Sequence, residues 1–206
     1  MIPDSRIARA QYRNSIKKEF FRKSIHLCSA LIPTLLAVAY WPILACLGCM
    51  LCAYIVSELF RMHGKPLPVI ARVTEAASRK RDENKFVLGP VTLVLGIIVT
   101  ALIWKGDAAR IGIYALAFGD GLASLAGKIL GRMRVPFTRG KTVVGSLTCF
   151  VAVFCSAFAV CKDARIALIL AGTAMVVELM PLKDFDNLII PIVIGGIAQL
   201  LLYCQR

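Results

Sequence analysis

The sequence predicts an all-α, polytopic integral membrane helix bundle with about seven transmembrane helices and a cytoplasmic N-terminus. Of the 206 residues, 58% are apolar and only 18% are charged, whereas soluble domains typically carry about 25% charged residues. The apolar residues fall in long runs, and the mean hydropathy is +0.74. These properties exclude a water-soluble globule. They also exclude a disordered chain, because disorder requires low hydrophobicity.

Seven segments are long and apolar enough to cross a bilayer, which takes roughly 20 residues and about 17 at the short end. They are 24–40, 41–60, 86–104, 108–127, 142–161, 164–182 and 188–204. A turn at Tyr40-Trp41-Pro42 is expected to separate the first two, because Pro cannot continue an incoming helix and Trp and Tyr prefer the interface. Residues 24–206 are therefore predicted to form a single transmembrane domain.

The distribution of Lys and Arg sets the predicted orientation. Twenty of the 25 basic residues fall in the tail 1–23 and in the loops 61–85, 128–141 and 183–187, and five fall on the opposite side. Cytoplasmic loops carry such an excess, so the tail and these loops are expected in the cytoplasm. The formal net charge of +13 then indicates contact with anionic membrane lipids rather than with nucleic acid.

Two basic segments are predicted to lie on the membrane surface. The charged tail 1–23 is too long for a signal peptide, so we expect an interfacial helix that continues into the first span. The loop 61–85 contains an amphipathic helix that Pro68 can open. Its apolar face consists of Val69, Ile70, Val73, Ala76 and Ala77, and its polar face of Arg72, Glu75 and Arg79.

Three carboxylates lie inside predicted spans, where an ionisable group is costly and indicates a functional site. They are Glu58, Asp120 and Glu178, all toward the cytoplasmic ends of their helices. The loop 183–187 adds Asp184, Asp186 and Asn187 on the same side. Acidic and basic groups thus converge on one face, as a site for a metal ion and a polyphosphate requires.

Asp120 is the most informative of these carboxylates. Asp120, Ser124 and Lys128 repeat at i, i+4 and i+8, so they share one helix face and suit a metal-bound phosphate chain. A parallel stripe of small residues lets another helix or a ligand approach the backbone. The stripe consists of Gly119, Ala123, Gly127 and Gly131. The alternative for Asp120 is a buried ion pair that locks two helices together.

The other candidates leave structural alternatives open. Glu58 is three residues from Arg61, so a simple ion pair is possible, and Glu178 lies near the water, three residues before Pro181. His26 begins the first span, where it can contact a phosphate or take a hydroxyl proton, or simply sit at the interface.

Gly140-Lys141-Thr142 precedes the fifth span, and Gly145-Ser146 follows. A Walker A loop is excluded, because Val135 stands where its first Gly is needed and no strand precedes it. A helix N-terminus with a Lys and a Thr still makes an anion site. The alternative is that Lys141 only sets the membrane orientation.

The string 118–132 contains D-x-x-A-S-x-x-G-x-x-x-G from Asp120 to Gly131. This pattern resembles membrane enzymes that use CTP: the family of dolichol kinase, phytol kinase and CTP-dependent diacylglycerol kinase, and more distantly the CDP-diacylglycerol synthases. Further matches to the kinase branch, within residues 20–195, are Arg22-Lys23 with His26, Gly140-Lys141-Thr142 with Gly145-Ser146, Glu178, and Asp186-Asn187-Leu188 followed by Pro191.

Two departures from the family pattern matter. The kinases often have two adjacent acids before the Asn, whereas Phe185 separates Asp184 from Asp186 here, so which Asp has the role stays open. The His-Gly-Gly and Asp-Arg motif of the synthases is missing from this sequence, which favours a kinase.

The resemblance implies transfer of the CTP γ-phosphate, with Mg²⁺, to a lipid alcohol that enters from the bilayer. The implied catalytic residues are Asp120, Asp186, Lys141, His26 and Glu178. The implied nucleotide-binding residues are Ser124, Lys128, Arg132, Lys141, Thr142, Gly145 and Asn187, and the implied metal ligands are Asp120, Asp186 and Glu58. Expected partners are the lipid alcohol, the nucleotide and membrane lipids, with no nucleic acid; an oligomer is left open.

Two other functions compete with the kinase. A phosphatidate cytidylyltransferase is the alternative within the same resemblance. A transporter is less favoured, because transporters place polar groups near the bilayer midplane, whereas these gather at one face. The acceptor could be a polyprenol, a phytol-like alcohol or diacylglycerol. The expected location is a bacterial plasma membrane or, alternatively, the endoplasmic reticulum.

Overall fold

The computed structural model describes residues 6–65, 68, 74, 85–138 and 140–205. Within these ranges it has no β-strand, only an isolated antiparallel bridge between Arg134 and Thr142, so the all-α class is confirmed. The α-helices are α1 Arg6–Cys28, α2 Ile32–Val38, α3 Tyr40–Met62, α4 Gly89–Ile103, α5 Gly106–Tyr114, α6 Gly121–Ile129, α7 Val143–Cys161, α8 Ala164–Leu179 and α9 Asp186–Cys204.

Four of the described helical stretches are long and apolar enough to cross a membrane. They are Arg13–Val38, Tyr40–Met62, Val143–Cys161 and Lys183–Cys204, and Gly89–Ile103 is a shorter apolar helix. Helices occupy all seven predicted segments, although several are shorter than the segment or interrupted within it. A helical membrane bundle is thereby confirmed, while the count of seven spans and their orientation stay predictions.

The basic tail and the first apolar segment form one helical stretch. Helix α1 runs to Cys28, and the 3-10 turn Ser29–Leu31 leads directly into α2. The break before α3 falls at Ala39, which has a φ of −145°, and Tyr40-Trp41-Pro42 forms the first turn of α3 instead of the predicted turn between helices. Pro is tolerated there because the N–H groups of a first helical turn have no acceptor within the helix.

The amphipathic helix predicted in the loop 61–85 lies almost entirely outside the described residues. All the residues assigned to its two faces fall there: Val69, Ile70, Arg72, Val73, Glu75, Ala76, Ala77 and Arg79. Pro68 and Thr74 are described, and both are helical. Thr74 is buried, so at this position the segment packs against the rest of the bundle.

A π-helical segment, Ala115–Asp120, joins α5 to α6. It holds an i→i+5 turn inside a longer helix, a feature that often occurs at functional sites. Leu116 and Asp120 are buried, so this segment is fixed by packing on several sides. Asp120 is its last residue, and its carboxylate is therefore presented at the point where regular α-helix resumes.

Helix α9 packs closely against α4 and α5 at two glycines. A Cβ added to Gly96 would lie 2.3 Å from the Asn187 carbonyl oxygen, and one added to Gly112 would lie 2.4 Å from the Pro191 carbonyl oxygen. The contacted atoms are backbone and cannot rotate away. This packing fixes the start of α9, and with it Asp186, relative to the rest of the bundle.

We expect Gly112→Ala to destabilise the bundle by about 1–3 kcal/mol, the usual cost of overpacking, although Ala is the better helix former. The measurement is the midpoint of thermal unfolding in detergent micelles. Gly48→Ala is the matched control, because an added Cβ there has no atom within 4 Å. Equal midpoints for the two variants would show that the α5–α9 contact is looser than the structure has it.

Candidate active site

Asp120 lies in a buried cluster of charged side chains. Its carboxylate is 2% exposed, and Lys23 Nζ of α1 donates a hydrogen bond to Oδ2. His26 Nδ1, one turn further along α1, is 3.3 Å from the same oxygen. Ser124 Oγ donates to Oδ1 at 3.5 Å, as the i, i+4 spacing predicts. The cluster joins α1 to the π-helical segment and α6.

The Lys23–Asp120 contact is the buried ion pair that sequence analysis left open as the alternative for Asp120. Lys23 is only 2% exposed, so neither charge is solvated and each depends on the other. Sequence reasoning assigned no role to Lys23. The available signal was its position three residues before His26, which puts both side chains on one face of α1.

A polar cavity of about 610 Å³ lies beside this cluster. It is bounded by α1, α6, the N-terminus of α7, the end of α8 and the turn before α9. Of the residues predicted to bind nucleotide or to act in catalysis, its lining includes Ser124, Lys128, Lys141, Thr142, Gly145, Glu178 and Asp186. In the described part of the chain, Arg134 lines the cavity and the exposed Arg132 does not.

Lys141 and Glu178, predicted separately from the sequence, are partners in the structure. Lys141 Nζ donates to Glu178 Oε1 at 2.6 Å, and Ser146 Oγ donates to Oε2 at 3.3 Å. Burial lowers the pKa of Lys141, but the charge and hydrogen bond of Glu178 together with the charges of Asp120 and Asp186 outweigh burial, so the pKa is raised. Lys141 is therefore a fixed cation on the cavity wall.

Thr142 forms the N-cap of α7. Its side-chain oxygen accepts a hydrogen bond from the Gly145 N–H at 3.2 Å, which satisfies one of the free amides of the first turn. Added Cβ atoms at Gly127 and Gly131 would lie 2.7 and 2.5 Å from this oxygen. At these two positions the small-residue stripe of α6 therefore accommodates α7, one of the two alternatives that the sequence left open.

Lys128 lines the same cavity but is anchored to α1. Its Nζ donates to the Ser15 carbonyl at 2.7 Å and lies 3.5 Å from a carboxylate oxygen of Glu19. Glu19 also accepts a hydrogen bond from Arg22. The face of α1 that meets the cavity thus carries a network of alternating charges.

A second cavity, of about 220 Å³ and mostly apolar, also borders α1. It is lined by α1, α3, α4, the turn before α9 and Thr74. The lining consists of Arg22, Lys23, Ile25, His26, Met50, Leu51, Tyr54, Thr74, Val87, Gly89, Pro90, Leu93, Val94, Asp184, Asp186 and Asn187. Arg22 and Asp186 line both cavities, so these two residues form a wall that the cavities share.

Asn187 holds the start of α9 against α4. Its Nδ2 donates to the Gly89 carbonyl at 3.3 Å and to Thr92 Oγ1 at 3.2 Å. Asp186 Oδ1 accepts the Asn187 N–H at 2.9 Å. The structure therefore gives Asn187, predicted to bind nucleotide, a contact that places Asp186 on the shared wall.

Glu58 lies apart from the other predicted metal ligands. Its carboxylate accepts hydrogen bonds from Arg61 at 2.7 and 2.8 Å and from the Val87 N–H at 2.7 Å. Among the described residues, Glu58 lines neither cavity. Within the same ranges, no three His, Cys, Asp or Glu side chains are grouped so that they could hold a metal ion. The predicted set of Glu58, Asp120 and Asp186 is therefore not assembled.

The partnership of Lys141 with Glu178 predicts how Lys141 titrates. In Glu178→Gln the negative charge that raises the Lys141 pKa is lost while burial, which lowers it, remains. The pKa therefore falls, and more of the amine is neutral at a given alkaline pH. We expect Lys141 to react faster with an amine-acylating reagent between about pH 8 and 10, measured by mass spectrometry. The exposed Lys162 serves as the internal control, and an unchanged Lys141 profile would contradict the assignment.

Sequence comparison finds that the chain is similar to proteins named as lipid kinases. No protein-family model matches the chain, and no solved structure does. Probable phytol kinase 1, chloroplastic, of Oryza sativa subsp. japonica is 27% identical over 215 residues, which cover 92% of this chain and 66% of the relative. Phytol kinase 1, chloroplastic, of Arabidopsis thaliana is 25% identical over 207 residues, with 87% and 66% covered.

A third relative is CTP-dependent diacylglycerol kinase 1 of Eremothecium gossypii, 26% identical over 104 residues, which cover 49% of this chain and 32% of the relative. The chain spans about two thirds of the length of the two phytol kinases above. The resemblance that the Asp120 string predicts is confirmed: over most of its length, the chain is similar to proteins named as kinases of lipids.

Proposed function

We propose that the chain is a membrane lipid kinase that transfers the γ-phosphate of CTP to a lipid alcohol. The observation that carries the proposal is the wall of Arg22 and Asp186 shared by a polar and an apolar cavity. A water-soluble nucleotide and an apolar acceptor need different surroundings, yet their reacting atoms must meet. A shared wall beside the Asp120 cluster provides that meeting point.

The polar cavity would bind CTP. Lys128 and Lys141 bring cations to its wall, and the N-terminus of α7 adds a positive dipole end. Arg22 Nε is buried and has no hydrogen-bond partner among the described residues, so it offers a donor that a phosphate oxygen can satisfy. A guanidinium suits phosphate geometrically. CTP as the nucleotide is supported by the name of the diacylglycerol kinase relative.

The apolar cavity would bind the alcohol, with its hydroxyl beside His26. His26 Nδ1 lies 3.3 Å from an oxygen of Asp120, and a carboxylate at this position suits a histidine that acts as a general base. His26 would take the hydroxyl proton as the oxygen attacks the γ-phosphorus. The bond from that phosphorus to the bridging oxygen breaks, and CDP leaves. Lys141 and Arg22 stabilise the charge on the transferred group, as phosphoryl transfer requires.

Mg²⁺ belongs to the proposal as well. In nucleotide sites this ion is usually held by one or two carboxylates together with the phosphates. Asp186, half-buried on the shared wall, fits that pattern, and Asp120 would be the second ligand. Glu58 does not fit, because among the described residues neither Glu58 nor its partners Arg61 and Val87 line the polar cavity. When bound, Mg²⁺ would neutralise charge on the phosphates.

The proposed site faces the cytoplasm, following the excess of basic residues around it. The plant relatives are named chloroplastic and the diacylglycerol kinase comes from Eremothecium gossypii. These names give no support to the bacterial plasma membrane predicted from the sequence. The proposal is therefore limited to an integral membrane location.

The direct test offers the purified protein γ-labelled CTP and ATP in parallel, with phytol, farnesol, a polyprenol and diacylglycerol as acceptors. We expect labelled lipid phosphate and CDP from CTP. Release of pyrophosphate with formation of a CDP-lipid would instead identify a cytidylyltransferase and refute the proposal.

We expect Asp120→Asn to abolish turnover, because it removes the negative charge beside His26 and also removes one of the proposed Mg²⁺ ligands. It also leaves Lys23 buried without its counter-ion, which costs about 3–5 kcal/mol, so activity and thermal stability are measured together. The double variant Asp120→Asn with Lys23→Met removes both charges. We expect it to regain stability in detergent but no activity. Activity in the stable double variant would refute a catalytic Asp120.

We expect Lys141→Ala to raise the KM for CTP or lower kcat by at least tenfold, about 1.4 kcal/mol, because it removes a cation from the phosphate site. Steady-state kinetics with CTP as the varied substrate measure both constants. Lys162→Ala, at an exposed position after α7, is the control. An unchanged kcat/KM for Lys141→Ala would exclude contact with the phosphates.

A further inference from the structure

The Thr74 side chain is a buried hydroxyl that has no partner. It is 2% exposed, its Oγ1 forms no hydrogen bond among the described residues, and it lines the apolar cavity. Leaving such a group unsatisfied costs about 1–3 kcal/mol. Because Thr74 borders an open cavity rather than solid core, a molecule in that cavity can supply the missing hydrogen bond.

Two neighbouring polar groups of this cavity are already engaged by the protein. The Tyr54 hydroxyl donates to the Val87 carbonyl at 3.1 Å. Both Nδ2 hydrogen bonds of Asn187 go to α4. Thr74 thus differs from these two side chains, because its hydrogen-bonding capacity is left for a ligand.

The segment that carries Thr74 is anchored at both of its ends near the cavity. Arg61, at the end of α3, donates to the Lys85 carbonyl at 2.7 Å, and Glu58 accepts the Val87 N–H. Val87 and Tyr54 themselves line the cavity. The buried Glu58 and its partner Arg61 therefore join the end of α3 to residues 85–87 beside the cavity, which accounts for both side chains without a metal.

We propose that Thr74 positions the acceptor by donating a hydrogen bond to the hydroxyl oxygen of a long-chain alcohol in the apolar cavity. This inference rests on the proposed function. One alcohol oxygen can accept from Thr74 while its own proton is donated to His26, so the two contacts are compatible. The chain would lie against the apolar lining, which includes Leu51, Leu93 and Val94. Thr74 is a positioning residue, and acceptor recognition then includes this described residue, which lies between α3 and α4.

The test compares Thr74→Val, which keeps the shape but removes the hydroxyl, with Thr74→Ser, which keeps the hydroxyl. Thr100→Val is the matched control. Thr100 is also fully buried and its hydroxyl also lacks a partner, but among the described residues it lines neither cavity. Phytol is the probe, and it is varied against saturating CTP in detergent micelles. Binding is followed separately as the rise in melting temperature that phytol causes without nucleotide.

We expect Thr74→Val to raise the KM for phytol about three- to tenfold, the range for one hydrogen bond, with the KM for CTP unchanged. The rise in melting temperature caused by phytol should be smaller in Thr74→Val. The KM of Thr74→Ser for phytol should stay within about twofold of wild type. Thr100→Val should change neither the KM for phytol nor the KM for CTP. Equal phytol KM in Thr74→Val and Thr100→Val would overturn the inference. If phytol binding depends on Thr74 but no phosphate is transferred to any alcohol, the proposed function fails and this inference stands. If phytol neither binds nor reacts, both fail.

Discussion

The contact between Lys23 and Asp120 is the interaction on which the rest of the site depends. Two charges buried at 2% exposure are tolerated in an apolar bundle only because each neutralises the other. The pair fixes the face of α1 against the π-helical segment, and this places His26 beside Asp120 and Arg22 between the two cavities. A lone Asp at this depth would be costly, and a lone Lys equally so. The Lys23–Asp120 contact is therefore needed both for the packing of α1 and for the proposed catalysis.

The shared wall lets a nucleotide and an apolar alcohol, which need different surroundings, come into contact. A nucleotide must be held where water, cations and backbone amides are available, whereas an alcohol on a long chain is soluble only among apolar side chains. In the structure the two environments both border α1 and share Arg22 and Asp186 as lining residues. At that boundary, Arg22 can contact the phosphate that is transferred, and Asp186 can bind the Mg²⁺ proposed to accompany the nucleotide.

Much of the fold is predictable from the sequence because long apolar runs leave few alternatives to helices in a bilayer. Asp120 and Ser124 were predictable as neighbours from spacing alone. The pairing of Lys141 with Glu178 was not, because the residues are 37 positions apart and only the packing of α7 on α8 joins them. Lys23 belongs to the pattern that resembles the kinases, but it was given no role, because a Lys in a basic tail is usually solvated. Glu58 was predicted to bind a metal because a buried carboxylate often indicates a functional site. In the structure its hydrogen bonds go instead to Arg61 and to the Val87 N–H.

The π-helical segment lets the chain carry one extra residue before Asp120 without turning the helices on either side. A π turn contains one residue more than the α-helical turn it replaces, and one residue corresponds to about 100° of rotation around the axis of an α-helix. Because the π turn absorbs its extra residue locally, removal of a single residue between Ala115 and Gly119 would restore regular α-helix and leave the Asp120 carboxylate facing α1. A residue added to the regular helix α5 has no such outlet and would turn Asp120 away from Lys23.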